Sequence, residues 1–383
     1  MNFDPTTATD AYISGLGEEA LALAAAYTAG NHWILLWEII VPIIVTAILV
    51  RTRLLERIAH RLAGRRFFIR VFSLSAVFVV ASTLLEFPFW LYADWWRESQ
   101  YGRTNQPLTD HLTQLALGLV LSSVIAGLVL TGVYAFLART GKAWWLWSGA
   151  LGSCAVVFLI LLSPTFIEPL FNDFEPVPDG EVKEAVEELA SQAGIPSDRI
   201  FIFNGSRQSN NFTANVSGIG ASARIAISDV ALGDASLGEV KAVTGHEIGH
   251  YVLGHMWYSV AVLCGLIVSA LFLAQLLFTP VAKFFGASGD ITDPATLPVL
   301  VFILATLMSL AQPLNNAVTR MNESAADAYS LNTVKLPDAL ASALVKTAEY
   351  RNPRPGALQE WLFYTHPSVE RRVKMAMDWK AEH

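Results

Sequence analysis

The chain has 383 residues, of which 53% are hydrophobic and only 15% are charged. A soluble domain of this size carries about 25% charged residues, so a wholly soluble fold is excluded and the excess apolar content belongs in membrane spans. The formal net charge of -7 argues against a nucleic-acid partner, which usually needs a basic patch.

Residues 1–30 show no basic stretch followed by an apolar core and a cleavage site, so no signal peptide is expected. Within them, 12–27 holds Glu18 and Glu19 and is too polar to be a span. A membrane helix needs about 20 mostly apolar residues. Residues 33–50, 67–92, 112–138 and 144–163 meet that need, and Trp90, Trp95, Trp96, Trp144 and Trp145 gather at their ends as an aromatic belt would. Glu38 and Glu86 fall inside spans, where an ionisable group usually faces a cavity or a partner. Cys154, like Cys264 later in the chain, lies in an apolar run and reads as a small buried hydrophobe. Between the first two spans lie Arg51, Arg53, Arg57, Arg61, Arg65, Arg66 and Arg70 against a single acid, Glu56. The excess of positive charge places that loop in the cytoplasm. Arg139 and Lys142 agree, and counting onward puts residues 164–255 and the C-terminus on the non-cytoplasmic side.

From residue 176 to 245 the chain turns polar. Residues 182–193 have helical spacing, 199–203 and 224–228 read as strands, and 204–220, rich in Asn, Ser and Gly, reads as a loop or irregular edge strand. Within it, 212–218 is the best candidate for an open strand edge. Such an edge extends a peptide by main-chain pairing.

Next comes His246-Glu247-Ile248-Gly249-His250, an H-E-x-x-H pattern. Residues four apart on a helix lie about 40° apart around its axis, so both imidazoles can reach one ion. Neutral imidazole suits Zn²⁺, a catalytic zinc keeps three protein ligands and a water, and Glu247 stands to take the proton of that water. His255, nine residues after His246, would lie about 180° around the same helix and reads as structural or interfacial. Spans five and six are expected at 257–278, with Trp257 at its end, and 297–310.

Residues 316–347 look helical and place Glu323 and Asp327 four apart on one face. Glu323 can complete a His₂Glu ligand set, and Asp327 can bond a ligand histidine and fix its ring. A Pro-rich turn follows at 352–356 and a last helix from about Pro367. His366 and Arg372, six apart, could bind a developing oxyanion or a substrate carboxylate.

Beyond the single pattern, Glu98 to Asn105, Pro164 to Asn172, Asn204 to Arg207, Arg224 to Asp229, Gly245 to His255, Glu323 to Asp327, and His366-Pro367 with Arg372 occur in a characteristic order. With these the chain resembles the integral-membrane CAAX prenyl endopeptidases, over about residues 67 to 372. The resemblance implies His246, His250 and Glu323 as zinc ligands, one Zn²⁺ per chain, and Glu247 as general base. It also implies Asp327 behind the ligands, His366 and Arg372 on substrate, and a water-filled chamber within seven helices. The family's substrate strand carries Asn-Ala-Tyr, for which this chain has Thr213, Ala214 and Asn215. The family removes the C-terminal tripeptide of prenylated proteins, so the resemblance implies a peptide or lipidated protein substrate, with the lipid bilayer as the other partner.

The expected fold is a mostly α-helical polytopic membrane protein, with six or seven transmembrane helices around a chamber and a small α+β, gluzincin-like catalytic domain. The expected divisions are an N-terminal segment (1–30), spans one to four (31–165), the catalytic domain with edge strand and zinc helix (166–256), spans five and six (257–312), and C-terminal catalytic helices with the third ligand (313–383). The expected function is zinc-dependent endopeptidase. The same chemistry would also serve membrane-protein quality control. A catalytically silent membrane scaffold would have no use for Glu247, and a transporter would show paired repeats, which the sequence lacks.

Overall fold

The computed structural model describes residues 3–196, 198–211, 213–218, 223–346 and 351–383. Helix α1 (Pro5–Ser14) begins where the Asp4 carboxylate accepts the main-chain N–H groups of Thr6 and Thr7, with Pro5 at the first helical position. The first membrane half follows: α2 (Glu18–Arg51), the short α3 (Leu54–Arg61), α4 (Phe67–Trp90), α5 (Arg97–Gln100), α6 (Leu108–Arg139) and α7 (Trp144–Leu162). Pro88 lacks the N–H that the α ladder needs, and the chain runs on from α4 to α5 through a π-helical stretch at Leu91–Trp96.

The polar region folds as β1 (Phe174–Pro176), α8 (Glu181–Gln192), β2 (Ile200–Phe203), β3 (Ala214–Ser217), β4 (Arg224–Ser228), α9 (Asp229–Asp234) and α10 (Leu237–Val252). Then come α11 (His255–Phe285), α12 (Leu297–Val334), α13 (Pro337–Lys346), α14 (Ala357–Phe363) and α15 (Val369–Glu382). Among the described residues six helical stretches are long and apolar enough to cross a membrane: Glu18–Arg51, Phe67–Gln100, Leu108–Arg139, Gly141–Leu170, His255–Phe285 and Pro294–Val334. They carry the six expected spans, one fewer than the resemblance implies.

Val71 and Leu74 of α4, Tyr134 of α6, Phe278 of α11 and Leu297 and Leu300 of α12 form the membrane core. Between membrane helices such contacts stabilise through van der Waals packing and not through removal from water. Leu55 of α3, with Ile291 and Ala295 before α12, joins the same cluster. The arginine-rich loop therefore sits at that end of the bundle. At the other end Arg207 donates to both oxygens of Asp110, at 2.6 and 3.1 Å, and ties the polar domain to the start of α6.

The sheet has the order β1-β2-β4-β3, with β2 and β4 parallel and the outer pairs antiparallel. Every residue of β4 is buried. Ile225 and Ile227 pack with Val186 and Ala190 of α8 and with Val240 and Ile248 of α10. Ile248 is about 200° around the helix from both His246 and His250. Burying it against the sheet turns both histidines the opposite way.

The expected strands at 199–203 and 224–228 are present as β2 and β4, and the expected 182–193 helix as α8. The single helix expected over 316–347 is instead two. Lys335 takes a left-handed conformation (φ 58°) and ends α12, and Pro337 starts α13. Thr347 lies outside the described residues.

Candidate active site

Helix α10 starts with a capping box. The Ser236 hydroxyl accepts from the Glu239 N–H, and the Glu239 carboxylate accepts from the Ser236 N–H at 2.7 Å. Ser342 and Lys346 of α13 also donate to Glu239. On its far side α10 meets α12 through two glycines. A Cβ on Gly245 would lie 2.5 Å from Val334 Cγ2, and one on Gly249 would lie 3.2 Å from the Ala326 Cα. Only hydrogen at both positions lets the helices come this close. That approach carries Glu323 and Asp327 of α12 to the histidines of α10.

His246 Nε2 lies 3.1 Å from His250 Nε2. Glu323 Oε2 is 3.3 Å from the first nitrogen, and Glu323 Oε1 is 3.3 Å from the second. Tetrahedral coordination of the zinc type, with bonds of about 2.0–2.2 Å, sets ligand atoms about 3.3–3.6 Å apart. The three side chains therefore fit one metal ion to within a few tenths of an ångström. They form the one group of three or more His, Cys, Asp or Glu ligands among the described residues that could hold an ion. Glu323 Oε2 is also buried without a hydrogen-bond partner, which an unliganded carboxylate seldom tolerates.

Behind the ligands, His246 Nδ1 is 2.9 Å from Asp327 Oδ1. Arg372, in the first turn of α15, donates to both oxygens of Asp327 at 2.7 Å. Burial works against a charge on His246, but its bonds to Asp327 and Glu323 outweigh it and raise its pKa to about 10. Burial pushes the Glu247 carboxyl above its ordinary range, against the pull of His246 and His250. That shift makes it a better proton acceptor.

His366 and Arg372 do reach the same place, but not from one helix. His366 lies in the turn before α15, whose N-cap is Ser368. Asn316 donates to Leu362 O and Arg320 to Glu360 O and Tyr364 O, so α12 itself holds the segment that carries His366. His366 Nε2 stands 3.4 Å from Glu323 Oε2. Burial, with Arg351 and Arg372 adding and Glu323 opposing, lowers its pKa to about 4. It is a neutral imidazole at physiological pH.

Glu247, His246, Glu323, His366 and Arg372 line a cavity of about 340 Å³, and Thr213 and Ala214 form part of its wall. A larger cavity of about 620 Å³ lies on the His250 side, against Val216, Gly218 and Trp257. The strand β3 borders both. Of the residues expected on the substrate strand, Asn215 is exposed and lines neither cavity, and Phe212 lies outside the described residues.

β3 is the last strand of the sheet, and its register tells which groups are open. Ser228 N donates to Thr213 O at 2.9 Å, and Ala214 lies opposite Ile227. In an antiparallel pair hydrogen-bonded and non-hydrogen-bonded residues alternate. The main-chain groups of Thr213 and Asn215 therefore face β4, and those of Ala214 and Val216 face outward.

His255 departs from the expected helix geometry. An unbroken helix would put it about 180° from His246. In the structure α10 ends at Val252, Gly254 takes φ 69°, and α11 starts afresh at His255. The turn brings His255 Nδ1 to 3.0 Å from His250 Nδ1. Gly254, a helix-ending residue, was the available signal.

Residues 176–380 match the model of peptidase family M48. Residues 8–173 match a model described as the CAAX prenyl protease N-terminal region with five membrane helices. This chain places four of its spans there. An uncharacterized metalloprotease of Bacillus subtilis, YhfN, is 30% identical over 243 residues, which is 62% of this chain and 57% of that protein. CAAX prenyl protease 1 of Saccharomyces cerevisiae is 28% identical over 330 residues, 79% of this chain and 70% of the yeast protein. The crystal structure of S. mikatae Ste24p superposes with a TM-score of 0.79 at 21% identity, covering 97% of this chain and 94% of that one. The overall fold is thus shared.

Proposed function

The chain belongs to peptidase family M48, as a multi-pass membrane metalloendopeptidase, and from that premise we propose that it cuts peptide bonds with one zinc ion held by His246, His250 and Glu323. The observation that carries the reading is the convergence of His246 Nε2, His250 Nε2 and the two Glu323 oxygens, at 3.1–3.3 Å, with Glu247 on the same cavity wall. Zinc bound there would polarise the scissile carbonyl and acidify a water molecule.

The chain's own residues supply the rest. The outward N–H and C=O of Ala214 and Val216 pair with an extended substrate and hold it across the two cavities. Glu247 takes a proton from the attacking water and passes it to the leaving amine. His366, neutral and facing the same cavity, donates a hydrogen bond to the oxygen that gains charge. Arg372 donates to both oxygens of Asp327, with its Nη2 also 3.5 Å from Glu323 Oε2, and acts by holding the Asp327 carboxylate against His246.

Relatives named CAAX prenyl protease 1 support a lipidated protein with a C-terminal CAAX sequence as the substrate. The positive-inside count favours a catalytic side away from the cytoplasm. The test is cleavage by the purified, detergent-solubilised chain of a prenylated CAAX peptide beside its unlipidated form. The prenylated peptide should be cut more efficiently, and Glu247→Gln should lose at least about 10²-fold in kcat while retaining metal. Equal cutting of both peptides points to quality control with the same chemistry. Full activity in Glu247→Gln would refute the mechanism.

A further inference from the structure

A histidine that ligates a metal almost always gives its second ring N–H to a fixed acceptor, which sets the tautomer and the plane of the ring. For His246 that acceptor is Asp327. His250 turns Nε2 toward His246 and Glu323, so its Nδ1 needs an acceptor of its own. The group at that position is His255, Nδ1 to Nδ1 at 3.0 Å. The rings stand at 76° with centroids 5.0 Å apart. His255 is 7% exposed, while the His250 side chain is 26% exposed.

We infer that His255 is the positioning residue for His250, and that its Nδ1 accepts the Nδ1–H of His250. The inference rests on the metal-ligand reading above. The tautomer logic is closed. Two ring nitrogens 3.0 Å apart need one proton between them. If that proton is on His250, the lone pair of His250 lies on Nε2, toward Glu323 and His246. If it is on His255 Nδ1, His250 must carry its own proton on Nε2 and cannot bind a metal. His255 therefore keeps its proton on Nε2, and one hydrogen bond selects the ligating form of His250.

The two supports differ in kind. His246 is backed by an anion that is itself paired with Arg372. His250 is backed by a neutral ring from the next helix, delivered by the left-handed turn at Gly254. His255 also borders the 620 Å³ cavity beside Trp257, so a simple packing role is the alternative to be separated.

The experiment is Zn²⁺ affinity of the full chain in detergent, by competition with a chelator, for wild type, His255→Phe, His255→Gln and Glu323→Ala. Phenylalanine keeps the ring and removes the acceptor, whereas glutamine restores an acceptor without the ring. The expected result is an affinity about 10–100-fold weaker in His255→Phe, with His255→Gln within about threefold of wild type. His255→Ala, which adds no bulk, gives the same comparison if the phenylalanine variant does not fold. An unchanged affinity without the acceptor, or equal losses in the Phe and Gln variants, overturns the positioning role. Loss of zinc in Glu323→Ala with no loss in His255→Phe removes this inference alone. Retention of zinc in Glu323→Ala removes the ligand reading beneath it.

Discussion

Asp327 Oδ1 sits 2.9 Å from His246 Nδ1, and both oxygens of the same carboxylate are held by Arg372. One buried group thus holds the ring of the proposed ligand His246 and neutralises a buried guanidinium. Asp327→Ala should weaken zinc binding about 10–100-fold. It should also destabilise the protein by about 3–5 kcal/mol, because Arg372 is left as an uncompensated buried charge. Arg372→Met with Asp327→Ala should recover part of the stability and none of the affinity. Thermal unfolding and chelator titration of the two variants separate these effects, and equal affinity in wild type and Asp327→Ala would sink the assignment.

Neighbouring residues of the edge strand should respond in opposite ways to proline. Ala214 N–H faces outward, so Ala214→Pro removes a bond to substrate and leaves the ladder to β4 intact. It should raise KM with the fold and metal content unchanged. Asn215 N–H faces β4, so Asn215→Pro should lower thermal stability instead. If Ala214→Pro leaves KM untouched in a folded, zinc-loaded protein, substrate is not held by this strand.

A methyl group at Gly249 would lie 3.1 Å from Tyr329 Cβ and 3.2 Å from the Ala326 Cα, closer than ordinary van der Waals contact. Gly249→Ala should cost about 1–3 kcal/mol through overpacking and should weaken zinc binding by moving Glu323 away from the histidines. A variant as stable as wild type with the same zinc affinity would show that the helix pair yields more easily than its spacing implies.

Glu239 gives a pH signature away from the metal. Burial alone would raise its pKa, but bonds from Ser236, Lys346 and Ser342 outweigh burial and hold it below the ordinary value of 4.5. A depressed folded-state pKa stabilises fully above the unfolded value and loses that contribution as pH falls through the folded one. The melting temperature of wild type should therefore fall below about pH 4.5, and Glu239→Gln should start lower and show a shallower fall. Parallel curves would mean that Glu239 carries no pH-dependent stability.

The arginine-rich loop and the catalytic cavity lie at opposite ends of the bundle, so orientation can be read with one label. Ser206 is exposed on the catalytic side, and Cys154 and Cys264 lie within α7 and α11. A cysteine at Ser206 should react with a membrane-impermeant thiol reagent in intact cells. Reaction only after permeabilisation would place the catalytic side in the cytoplasm.

The parts legible in the sequence were those governed by a period or a length. Apolar runs of about 20 residues marked the spans. The four-residue spacing of His246 with His250 and of Glu323 with Asp327 announced two helix faces turned toward one point. What escaped depends on breaks in that regularity. β1 has three residues, too few for alternation to register. Lys335 splits a helix at a non-glycine residue in a left-handed conformation, which composition does not flag. His366 reaches the cavity from a turn because bonds from Asn316 and Arg320, far away in sequence, hold that turn in place.

The proposed ligands come from both sides of α11. His246 and His250 precede that span, and Glu323 lies near the far end of α12, the last one. No soluble stretch of the chain contains all three. A ribosome that has delivered residues up to Phe285 has made a histidine pair without a carboxylate to complete it. On the proposed ligand set, metal capture waits until the final two spans have been inserted and packed. Hydrolytic competence is in this sense a readout of finished membrane assembly.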